Sequence, residues 1–171
     1  MAKPVMFALL LLGAVVAAGL FGALHNQLSY SVGPDYFTTF KFPQFGLEPD
    51  AGRLGAAWVG FRASWWMGLV IGALPLLYGL ARMRKRSTFL GAGLGAIGLA
   101  VIAATIGVLI GLVLGFVAQG FWEFDVPEQA APEPFIRAAL MHGGAYLGGL
   151  VGILLGLWTM HSALLFERRT S

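Results

Sequence analysis

His25, Arg62 and His142 are the residues of this chain best placed to do chemistry, because each sits in or at the edge of a long apolar run. Two imidazoles at similar depth on different helices would ligate a metal or a haem iron. Arg62 is the one charge set well inside an apolar segment, where it would grip an anionic ligand or pair with Asp35 or Glu133. Gln119 and Tyr146 fall at the same level. His25, Arg62, Gln119, His142 and Tyr146 therefore form one candidate polar site for a small ligand, a haem or a lipid headgroup. Each also has a plainer role. An arginine near a helix end snorkels to the headgroups, and interfacial histidines hydrogen-bond locally. With no cysteine and no further histidine at that level, no metal shell is completed and no metal is expected. No cofactor is required either, haem being the one alternative. His161 lies near the opposite end, where it caps or snorkels.

The motifs of soluble catalysis are missing. No phosphate-binding glycine loop, nucleophile elbow or zinc-protease helix occurs. Gly107, Gly111 and Gly115 recur every four residues, as do Gly144, Gly148, Gly152 and Gly156. They lie mid-segment without a preceding strand, so they do not read as nucleotide binding. On a helix each run makes a stripe without side chains. In lipid such a stripe lets another helix come close, either within one chain or between subunits.

The elements that must position these residues are membrane helices. The chain is 58% hydrophobic and 11% charged, against about a quarter charged in soluble domains. Four segments, about 4–24, 56–81, 89–118 and 138–166, reach the ~20 residues that cross a hydrocarbon core. Lys3, Arg82, Arg84, Lys85, Arg86, Arg168 and Arg169 flank them. Asp35, Glu48, Asp50, Glu123, Asp125, Glu128 and Glu133 occupy the other two loops. By the positive-inside rule both termini and loop 82–88 are cytoplasmic, and loops 25–55 and 120–137 face outward. The net charge of +3 then reads as topology, and no nucleic-acid partner is needed. Lys3 and the run after it also resemble a secretory signal. That run exceeds the usual 7–15 residues of a signal core, so the segment is read as a retained helix. The short loop 82–88 sets the second and third helices as an antiparallel hairpin in contact.

Loop 25–55 is the most distinctive part. Leu28, Tyr30 and Val32 alternate with polar residues, a strand-like pattern, and Gly33-Pro34-Asp35 turns the chain. Tyr36, Phe37, Phe40, Phe42 and Phe45 follow within ten residues. So many rings must lie on the membrane interface, cap the bundle or dock a partner. Loop 120–137, with its prolines and acids, reads as extended and solvated.

The stretch from His25 through Phe37, continuing into Phe40-Lys41-Phe42-Pro43-Gln44-Phe45, resembles a signature of small bacterial multi-pass membrane proteins of uncharacterised function. Ala63-Ser64-Trp65-Trp66-Met67-Gly68 belongs to the same likeness, which covers about a third of the chain. The resemblance implies bacterial origin and a four-helix bundle, and no catalytic role. Asn26 stands where that pattern carries an acid, so no His–carboxylate pair is implied.

The expectation is an all-α, polytopic transmembrane bundle of four helices, zipped by glycine and bearing an aromatic-rich extracytoplasmic loop in the bacterial inner membrane. The first expected function is a non-catalytic scaffold or accessory subunit, with the aromatic loop docking a membrane-protein partner or a second copy. The alternative is a ligand-, haem- or headgroup-binding protein with its site under that loop. A channel-like homo-oligomer is third.

Overall fold

The computed structural model describes residues 2–118, 121 and 124–170. Four long helices carry the fold: α1 (Lys3–Val32), α2 (Gly52–Arg82), α3 (Arg86–Val117) and α4 (Pro132–Arg169). Each is long and apolar enough to cross a membrane, and the chain is a multi-pass membrane protein. Large apolar side chains cover the outside, as lipid demands. Leu24, Leu147 and Leu154 are all more than 60% exposed.

All four helices exceed their expected lengths. The largest difference is in α1, which continues through Gln27–Val32, the stretch expected to be strand-like. Its period is helical once the polar residues are taken as the inward face. His25, Asn26 and Ser29 are buried, whereas Leu24 and Leu28 point outward. In lipid the usual inside-out sense of amphipathicity is reversed at this level, and a pattern read for water misleads.

The tight pairs are α1 with α2 and α3 with α4, whereas α2 and α3 meet sparingly despite their short connection. Glycine, more than loop length, decides this. A Cβ on Gly107 would strike the carbonyl oxygen of Gly144, and one on Gly144 would strike that of Gly107. Gly111 faces Leu140 and Gly148 faces Ala103 in the same backbone-to-backbone manner. The stripe on α4 divides, however. Gly152 still meets Ala100 of α3, but Gly156 meets Pro75 of α2. Steps of four residues overrun a 3.6-residue turn by about 40° each, so the stripe drifts from one neighbour to the next. The α1–α2 pair uses glycines that do not form a four-residue run: Gly22 against Gly60, and Gly68 against the Ala14 carbonyl.

Both termini and the α2–α3 connection share one end. The Lys3 ammonium donates to the Leu80 carbonyl at 3.0 Å and to that of Met83, which the helix leaves without internal partners. Glu167, buried at the end of α4, accepts from the Arg84 and Lys85 amides at 2.6 and 3.0 Å. A carboxylate is favoured there by the positive end of the α3 dipole.

At the opposite end residues 33–51 form a helical cap, not an open loop. Gly33 ends α1 where a Cβ would strike the Pro134 carbonyl. Pro34–Tyr36, a π-turn at Phe37–Lys41 and Phe42–Gln44 follow. Gly46 and Gly52, with φ of +70° and +58°, then return the chain into α2. Residues 124–131 are mostly exposed, as expected of the second loop.

Adjacent glycines on α4 give a test. Gly143→Ala adds a methyl group where nothing lies within 4 Å and should be neutral or stabilise slightly, since alanine favours helix by up to ~1 kcal/mol. Gly144→Ala should destabilise by roughly 1–3 kcal/mol through overpacking. Unfolding midpoints of the two variants in detergent check this, and equal midpoints would refute the backbone contact.

Candidate functional site

The inward face of α1 meets α4 beneath the cap. The His25 and His142 rings lie edge to face with centroids 4.5 Å apart, and Phe21 stacks on the other side of His25 at 5.9 Å. His142 is held from two directions. Its Nδ1 donates to the Ala138 carbonyl at 2.8 Å, and its Nε2 lies 3.1 Å from the Asn26 Oδ1. The Asn26 amide is oriented by its own donation to the Ala56 carbonyl at 2.9 Å. Asn26 therefore ties α1 to both α2 and α4. Both atoms facing the His142 ring, the Ala138 carbonyl oxygen and the Asn26 Oδ1, are acceptors.

His25 is different. It is 92% buried, yet among the described residues no group lies within hydrogen-bond reach of either ring nitrogen. Burying an unmatched polar group costs about 1–3 kcal/mol, so a fold that keeps an imidazole in this position needs a reason. The ring faces a chamber of about 30 Å³ walled also by Asn26, Lys41, Ser64, His142 and Tyr146. A water needs ~10–15 Å³ of such space, so the chamber holds one or two small polar groups.

The cap lies against this chamber and gives it one wall residue, Lys41. Phe37 and Phe42 are wholly buried and Tyr36 nearly so. The Tyr36 ring sits 4.9 Å from His142 and 5.2 Å from Phe135. Asp35 pins the cap to α4 by accepting from the Ala131 amide at 2.9 Å, at that helix's N-terminus. Burial, and then Tyr146, push the Tyr36 phenol well above its ordinary pKa, so it stays neutral. Lys41 ends the π-turn with its ammonium over the Tyr36 and Phe40 rings, 5.7 and 5.0 Å from their centroids, and donating to the Gln44 Oε1 at 3.1 Å. Burial lowers the Lys41 pKa from the usual lysine value, which leaves a cation that would gain from an anion nearby.

Of the residues expected at the site, the structure brings His25, His142 and Tyr146 together and leaves Arg62 apart. Arg62 is exposed and lies over the Phe45 and Trp58 rings at 5.9 Å each. It does not turn into the bundle, because Asp35 and Glu133 have other partners. Glu133 pairs with Arg137 at 2.7 Å. Gln119 lies outside the described residues. Of the five aromatics expected to dock a partner, Tyr36, Phe37 and Phe42 are interior and Phe45 is half-buried, so Phe40 alone is well exposed. Capping the bundle uses the others. Haem does not fit, because imidazoles in edge contact leave no room for a macrocycle between them. His161 pairs with the Tyr78 hydroxyl at 2.8 Å near the other end. The sequence reading missed Lys41 and Ser64 as chamber walls and Asn26 as the bridge. The spacing of His25, Asn26 and Ser29 along one helical face was the signal for the last.

Phe37→Ala should loosen the cap by roughly 3–5 kcal/mol, the cost of truncating a buried phenylalanine, whereas Phe40→Ala should be nearly silent. Protease cleavage within residues 33–51 reads the difference, and equal cleavage of the two variants would contradict the cap.

No family model matches this chain, and neither the curated proteins nor the solved structures contain a match.

Proposed function

We propose that this chain is a bacterial inner-membrane protein with cytoplasmic termini that binds a small ligand in the chamber beneath its outer cap. The observation that carries the reading is His25, a nine-tenths buried imidazole on the chamber wall whose two nitrogens are unmatched among the described residues. A ligand that hydrogen-bonds there would offset part of the cost of burying them. The gathering of Lys3, Arg82, Arg84, Lys85, Arg86, Arg168 and Arg169 at one end supports the orientation, since cytoplasmic flanks are enriched in such residues. Bacterial origin rests on the motif of the first loop. The scaffold reading has less support, because most of its docking rings are buried within the cap. A channel gains none from a bundle whose central space is walled largely by alanine and glycine.

The test is extraction of small molecules from the protein purified out of native membranes, beside a His25→Phe variant that keeps the ring contacts with Phe21 and His142. The wild-type extract should contain a compound depleted about tenfold in the variant, the worth of one hydrogen bond near 1.4 kcal/mol. The unfolding midpoint should hold or rise. Identical extracts from the two proteins would end the ligand-binding reading.

A further inference from the structure

A second space adjoins the chamber and names the class of ligand. It is a half-enclosed groove of about 90 Å³ that runs between all four helices. Ala14 and Ala18 of α1, Gly68 and Gly72 of α2, Ala100 of α3 and Gly149 of α4 leave it open by having little or no side chain. Phe21, Ser64 and Ala145 wall both spaces. The combined slot is therefore polar at one end and apolar along the rest. From Ser64 to Pro75 the groove follows α2 for about 16 Å, at 1.5 Å per residue. That is half of a ~30 Å hydrocarbon core, the depth of one leaflet.

The polar end selects the head. Among the described residues that line the chamber, Lys41 is the charged one and none is a carboxylate. His25 supplies an unmatched imidazole, and Ser64 and Tyr146 supply hydroxyls. The charge calls for an anion, and about 30 Å³ admits a carboxylate but not a phosphodiester with its glycerol.

We propose that chamber and groove together bind one long-chain fatty acid, with its carboxylate against His25 and Lys41 and its alkyl chain along the groove. This rests on the ligand-binding reading above and deepens it. The carboxylate accepts from the Lys41 ammonium and from an N–H of His25. The tail fills space that the small side chains of four helices leave between them.

Native mass spectrometry of the full chain, stripped of lipid in detergent, tests this with three added probes: palmitate, methyl palmitate and palmitoyl lysophosphatidic acid. Palmitate should bind as a single equivalent, and the ester and the lysophospholipid about tenfold more weakly. His25→Phe and Lys41→Gln should each weaken palmitate to the level of the ester. Met67→Trp, which fills the groove at a wall the chamber does not share, should block palmitate without lowering the unfolding midpoint. Ala18→Phe is the second groove variant should Met67→Trp fold poorly. Ester binding equal to palmitate, or palmitate retained in a folded groove variant, would overturn the assignment. So would preference for the lysophospholipid, which would make the site one for phosphate headgroups. If native extracts show that His25→Phe loses a compound other than a fatty acid, the chamber still binds a ligand and only its identity is wrong. If they show no loss, both readings fall.

Discussion

The contact on which the rest of this molecule depends is backbone laid against backbone at glycine. Lipid gives helices no hydrophobic reason to associate, so close van der Waals approach has to supply it. It does so between Gly107 and Gly144 in one pair of helices and between Gly22 and Gly60 in the other. These contacts also set how each helix is rotated. Gly19, Gly22, Asn26 and Ser29 advance along α1 in steps of three and four, so the face pressed to α2 by its glycines carries the polar residues inward one turn later. On α4 the stripe that begins at Gly144 faces α3, which leaves His142, one turn below Ala138, turned towards α1. The site is a consequence of packing that takes place elsewhere along the same helices.

Once the rotations are set, polar groups under lipid must find partners, and most do. Asn26 joins three helices through two contacts, and Asp35 reaches the start of α4. Aromatic rings complete the enclosure because they bury much area while a hydroxyl or a neighbouring cation meets water. The run of rings near the first loop, which is costly in water, is thus accounted for within the chain. Tyr36 and Phe37 pack against His142 and Phe42 against Tyr30, and Lys41 of the same wide π-turn, a geometry often found where a helix serves a site, joins the chamber wall.

Much of the fold was legible in the sequence. Four apolar segments and the basic and acidic ends follow from composition and spacing, because lipid imposes length and solubility directly on each segment. The glycine stripes were legible as close-packing faces but not as a contact within one chain. The extent of α1 was not legible, since Gln27, Ser29 and Ser31 read as the polar side of a strand in water, whereas Ser29 joins His25 and Asn26 on the buried side of a helix. The α1–α2 contact was hidden because Gly22 has no glycine four residues away, and its partner Gly60 lies on another helix. Arg62 misled for a related reason. Its position in the sequence gives depth but not rotation, and its ring partners Phe45 and Trp58 come from the cap and from its own helix. His25 and His142 were found as a pair, but their edge contact, which rules out a haem between them, depends on rotations that only tertiary packing fixes.

The two ends of the bundle solve the same problem in opposite ways. At the end that holds the termini, exposed helix carbonyls and amides are met by Lys3 and Glu167, so helix ends are closed by opposite charge. At the capped end the packing is aromatic and close-fitting, yet it surrounds an imidazole that no group among the described residues answers. A phenylalanine at position 25 would pack against Phe21 and His142 at least as well, without about 1–3 kcal/mol of unmatched polarity for each nitrogen. The neighbouring polar atoms are matched with care, from the Asn26 amide to the Asp35 carboxylate. An exception in such company, beside a cation and at the mouth of an apolar groove one leaflet deep, is explained by what the chamber receives and not by what holds the helices together.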